Sequence, residues 1–82
     1  MEVGYHLNEI AKGELGESSK IEEEFLEFKD AIKQESVIMS VIELADMYGA
    51  MEEYLKKYNM TMEDLKVFSD ITKRAFRNGR RG

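Results

Sequence analysis

The stretch Ile38–Met51, IMSVIELADMYGAM, constrains the fold more than any other part of this chain. Its apolar residues recur with a helical period. Val37, Val41, Leu44, Tyr48, Met51 and Leu55 form one stripe. Ile38, Ile42, Ala45 and Gly49 form a second, about 110° further round the helix. A helix apolar on so many sides is buried on most of them. Yet Glu43 and Asp46 sit inside it, three residues apart, in its only polar sector. Burying an uncompensated carboxylate is costly, so such groups pair, protonate or bind a metal. The nearest basic residues along the chain are Lys33 and Lys56, so the compensation must come from elsewhere.

The 82 residues make one small domain, 1–82. A chain this short buries a limited core, and two apolar stripes are more than it can cover. A homo-oligomer, dimer or tetramer, is therefore expected. Cysteine is absent and His6 is the lone histidine, read as a surface or packing residue. Any metal must then be held by oxygen ligands. No apolar run approaches the ~18–20 residues of a membrane span and no signal peptide is visible, so a cytoplasmic protein without membrane contact is expected. The net charge of −5 is unevenly spread. Lys73, Arg74, Arg77, Arg80 and Arg81 crowd the last twelve residues, which contain no acid. That end suits an anionic ligand or, more simply, the negative end of a helix dipole. The strongly acidic body argues against nucleic acid as a partner.

Strand-like alternation is missing and proline is absent, so the fold class is all-α. The expected architecture is an antiparallel bundle of three long helices plus a short N-terminal helix, completed by oligomerisation. The short helix spans 2–12, with Tyr5, Leu7, Ile10 and Ala11 as its apolar positions. GELGESS reads as a loop. Ser19 and Glu22 have capping-box spacing, placing a helix from about Lys20 to Gln34. In it Ile21, Phe25, Phe28 and Ile32 form a stripe expected to face the core, with Glu24, Glu27 and Ala31 on its flank. The acidic run at its start also suits the dipole. A break near Glu35–Ser36 leads to the central helix, ending around Tyr58–Asn59. Thr61 with Asp64 has capping-box spacing for a last helix, Met62 to Arg77. Its expected inward face is Leu65, Phe68, Thr72, Ala75 and Phe76, and Asn78-Gly79 is expected to stop it.

The short connection near 34–36 makes the second and third helices antiparallel neighbours. Glu24/Glu27 and Glu43/Asp46 lie equally far from that turn, hence at the same height at ~1.5 Å per residue. Four facing carboxylates repel, which raises pKa values or demands a cation. With oxygen ligands alone, the fitting ion is Mg²⁺ or Mn²⁺. A tight turn near 59–61 likewise makes the last helix run antiparallel to the central one and sets Lys73 level with the acidic pair.

KIEEEFLEFKDA (20–31) resembles the EExxE motif of the all-α nucleotide pyrophosphohydrolases, and IELAD (42–46) resembles their ExxD motif. The MazG-like enzymes and phosphoribosyl-ATP pyrophosphohydrolases belong to that family. The likeness runs from residue 20 to about 77. It implies Mg²⁺ held by Glu24, Glu27, Glu43 and Asp46, with Glu23 as a further ligand or supporting group. It implies attack of a metal-activated water on the α-phosphorus of a nucleoside triphosphate, oriented or deprotonated by Glu23 or Glu24 in a catalytic role. It also implies phosphate binding by late basic residues, here Lys73, Arg77 and Arg80, with Lys20 or a neighbouring subunit as the alternative. Two features depart from the family pattern: the leading helix is short, and no base-recognition residue stands out. The resemblance thus implies hydrolysis of NTP or dNTP to monophosphate and pyrophosphate, or of phosphoribosyl-ATP. The competing reading is a non-catalytic helical interaction module, which would leave Glu43 and Asp46 exposed.

Overall fold

The computed structural model describes residues 9–77, and the backbone alone at 75 and 76. Three helices make up the described chain: α1 (Ser18–Lys33), α2 (Val37–Lys56) and α3 (Met62–Arg77). No strand occurs among the described residues. Residues 9–12, the end of the expected short helix, are not helical, and the rest of that segment lies outside the described residues. Arg80 and the Asn78-Gly79 stop lie outside them too, as do the side chains of Ala75 and Phe76.

α1 begins one turn's fraction earlier than the Ser19/Glu22 spacing predicts. Its N-cap is Glu17, without a side-chain cap. Ser19 sits inside the helix and its Oγ accepts the Glu14 N–H at 3.0 Å instead. The loop ahead of α1 has folded back on it and taken the capping hydroxyl. The start at Ser18 also puts Glu22, Glu23 and Glu24 beyond the first turn, where the dipole explains little of them.

The helix ends use one device twice. Glu35 and Asn59 adopt left-handed φ values of 58° and 56°. Beside them, Ser36 N–H bonds Ala31 O and Met60 N–H bonds Leu55 O, the long bond of a Schellman turn. Ser36 then caps α2, its Oγ accepting the Met39 N–H at 3.1 Å. The expected capping box of α3 is present in both directions. Asp64 N–H donates to Thr61 Oγ1 and Thr61 N–H to Asp64 Oδ2, at 3.2 and 2.9 Å.

α1 and α2 pack along their length as an antiparallel hairpin, whereas α3 meets α2 sparingly and α1 not at all. At the open end of the hairpin Lys57 Nζ reaches Glu17 Oε1 at 3.0 Å and lies 4.7 Å from the Tyr54 ring. A wedge-shaped groove of about 320 Å³ separates Tyr48 of α2 from Met62, Leu65, Lys66 and Ser69 of α3.

The hairpin is packed the opposite way round from the expectation. Its buried residues are Glu23, Glu24, Asp30 and Ala31 on α1 and Ser40, Glu43 and Ala50 on α2. The stripe expected to be core is not buried, with Phe25 45% and Ile32 54% exposed and Ile21 and Phe28 half-buried. It lies roughly 130° round the helix from Glu27, too far to share a face with it. Both α2 stripes are open as well, Val37 at 77% and Ile38 at 69%. Ala31 and Ala50 are the only buried apolar side chains among the described residues. No described helix is long and apolar enough to cross a membrane.

Candidate metal centre

The seam between α1 and α2 gathers Glu24, Glu27, Glu43 and Asp46, the two pairs of the sequence reading. One carboxylate oxygen from each lies within 4.8 Å of all the others. The short Lys33–Val37 connection sets the register, and Ala31, Ser40 and Ala50 are small enough to let the two backbones approach. Burial grades across the group: Glu43 is 1% exposed, Glu24 is nearly as deep, Glu27 is half-buried and Asp46 is exposed. The site is thus closed below and open on one side.

Glu27 shows the strain of this crowding. Its carboxyl is pushed up to about 8, first by desolvation, then by the Glu24 charge and by its hydrogen bond with Glu43. The remedy inside the chain is partial. Lys20 Nζ lies 3.1 Å from Glu23 Oε1 and 3.2 Å from Glu24 Oε2. Those bonds, Glu23 foremost, raise the lysine above its usual range. Glu24 Oε1 is buried and accepts no hydrogen bond.

These residues fit a hard divalent ion. All four donors are carboxylates, the ligands Mg²⁺ and Mn²⁺ take. An octahedral ion with ligands at about 2.1 Å sets opposite oxygens about 4.2 Å apart, so the cluster needs to close by a few tenths of an ångström. The orphaned oxygen of Glu24 is the kind of atom such an ion satisfies.

Glu23 borders the quartet and shares a hydrogen bond with Glu27. Burial pushes its carboxyl up, but the Gly13 N–H and Lys20 outweigh this and hold it below its usual value. Gly13 donates to its Oε1 at 2.8 Å. Gly13 lies so close to the Ser19 carbonyl that a side chain there would collide with the start of α1. Lys73 and Arg77 both face solvent. Equal height with Asp46 matters only if α3 lies alongside α2, and α3 meets α2 only sparingly.

The cation beside the quartet is therefore Lys20, on α1, rather than Lys33 or Lys56, the nearest along the chain to Glu43 and Asp46. Its i, i+3 and i, i+4 spacing to Glu23 and Glu24 was the available signal. Comparisons with protein-family models, curated proteins and solved structures match nothing.

Proposed function

We propose that the chain is a Mg²⁺-dependent nucleoside triphosphate pyrophosphohydrolase that works as a homo-oligomer. The observation that carries this reading is the carboxylate quartet with its buried, donorless Glu24 oxygen. Glu24, Glu27, Glu43 and Asp46 would hold the ion, Mg²⁺ or Mn²⁺, with Asp46 on the open side. The ion supplies charge neutralisation at phosphate oxygens and an activated water for attack on the α-phosphorus. Glu23, fixed by Gly13 and Lys20, orients rather than accepts a proton. Glu27, hydrogen-bonded to Glu43 and holding its proton more readily than a free carboxyl, would have to lose that proton to serve as a ligand. Lys73, Arg77 and Arg80 remain the candidates for phosphate contact, brought to the site by a neighbouring subunit or by closure of α3.

The homo-oligomer, dimer or tetramer, has its own support. Much of what is open is apolar, including Val37, Ile38, Val41 and Phe68. A helical bundle completed by a second copy would cover it.

The deciding experiment is a pyrophosphate-release screen with Mg²⁺ over common and modified NTPs and dNTPs, with phosphoribosyl-ATP as one arm. Release from a nucleotide, lost with EDTA, is the expected result; silence across the screen removes the enzyme reading. The interaction-module alternative needs both Glu43 and Asp46 open to a partner, and Glu43 is sealed.

A further inference from the structure

We propose that Lys20 is a built-in counter-cation of the quartet: it holds Glu24 while no divalent ion is present, and turns to the ligand's phosphates once one takes its place. This rests on the metal reading above and adds a residue to it. Lys20 bridges two carboxylates with different duties. Glu23 is anchored from the other side by the Gly13 N–H, whereas Glu24 belongs to the quartet. The ammonium reaches only one oxygen of Glu24, Oε2, and leaves the buried Oε1 without a donor. A single lysine thus half-compensates a site that a doubly charged ion would compensate fully.

The two cations cannot share Glu24 comfortably. An ion within the quartet would sit close to the lysine head, and like charges at that range repel. The lysine has somewhere to go. Its side chain is 26% exposed, and its four-carbon stem lets the head swing while staying hydrogen-bonded to Glu23. Any anionic ligand of the metal must enter from solvent, to which the Lys20 side chain is itself partly open. Lys73 and Arg77 stand on α3, which does not pack on α1. Lys20, by contrast, is already bonded to the quartet, through Glu24.

Calorimetric titration of Mn²⁺ alone into the wild type, Lys20→Met and Lys20→Arg tests the exchange. Lys20→Met should bind Mn²⁺ roughly three- to tenfold more tightly, and Lys20→Arg should stay near wild type. At saturating Mn²⁺ a non-hydrolysable triphosphate should bind Lys20→Met roughly tenfold more weakly. A lysine that merely holds the loop would not tighten metal binding when removed. Unchanged or weaker Mn²⁺ binding by a folded Lys20→Met overturns the proposal. A readout on the wild type guards against a variant that does not fold. Acetylation mapped by mass spectrometry should find Lys20 more reactive with Mg²⁺ than without, relative to Lys66, and equal reactivity overturns the proposal as well. If the wild type binds no Mn²⁺ at millimolar concentration, the metal reading falls together with this one. Binding that is indifferent to Lys20 removes only the counter-cation.

Discussion

The two faces of α1 have opposite fates. One carries Glu23, Glu24 and Asp30 and is buried against α2; the other carries Phe25 and Ile32 and is left to solvent. Residue preference alone would reverse the assignment, since a large apolar side chain gains about 1.5–3 kcal/mol from full burial and a carboxylate loses by it. The arrangement makes sense if both faces are unfinished. The acidic seam waits for a cation, and the apolar face waits for protein. Function and assembly then use separate faces of one hairpin, and each can be attacked without the other.

The largest effect should come from the seam. Glu43→Gln and Asp46→Asn should each abolish pyrophosphate release, a loss of at least ~10²-fold if the metal carries the charge stabilisation. Both should stay folded, and Glu43→Gln should raise the melting temperature of the metal-free protein by relieving repulsion. Full activity in either variant would break the proposed link between seam and chemistry.

The outer face comes next. A charge at Val41, as in Val41→Glu, should dissociate the oligomer, read by light scattering at micromolar concentration, while the isolated seam residues stay unchanged. A wild type that scatters as a monomer would mean that the exposed face serves something other than a second copy.

Smaller effects should follow from the basic end. Lys73→Ala and Arg77→Ala should weaken nucleotide binding by roughly tenfold each and leave Mn²⁺ binding alone, with Arg81→Ala as the control for net charge. If Arg81→Ala costs as much, the effect is general electrostatics.

The pH dependence sharpens the same contrast. Glu27 takes up its proton more readily in the folded chain than in the unfolded one, so its contribution to stability is present at acidic pH. It is lost as pH rises from about 4.5 towards about 8. Melting of the metal-free protein should therefore fall across that window. Glu27→Gln should flatten the slope, and Mg²⁺ should offset it. A slope that Glu27→Gln leaves intact would put the titrating group elsewhere.

The sequence made some of this legible and hid the rest for identifiable reasons. The start of α3 was readable because Thr61 and Asp64 act through bonds three residues apart. The quartet was readable because a short connection fixes the height of both acidic pairs. Ser19 misled because a distant donor, Glu14, claimed its hydroxyl. The Phe25–Phe28 stripe misled more deeply. Periodicity says which residues share a face, but not which partner that face meets, and the expected partner was the wrong one. The placement of α3 was hidden because the turns at Glu35 and Asn59 are alike, yet only the first joins helices that pack along their length, a difference that residue spacing does not encode.

The closeness of the four acids along the chain has a consequence for how the molecule comes into being. All of them lie between Glu24 and Asp46, on two helices joined by the connection from Gln34 to Ser36. Contacts that local form early, in microseconds to milliseconds for helical pairs. On the ribosome this hairpin emerges ahead of α3 and before any second copy can be met. The acids are then forced together while the apolar faces are still bare. On the metal reading, Mg²⁺ would act at that moment as a folding aid, drawing the hairpin shut. Refolding followed by stopped-flow should quicken as Mg²⁺ is added and lose that response in Asp46→Asn; a rate indifferent to Mg²⁺ would place closure of the hairpin after the rate-limiting step.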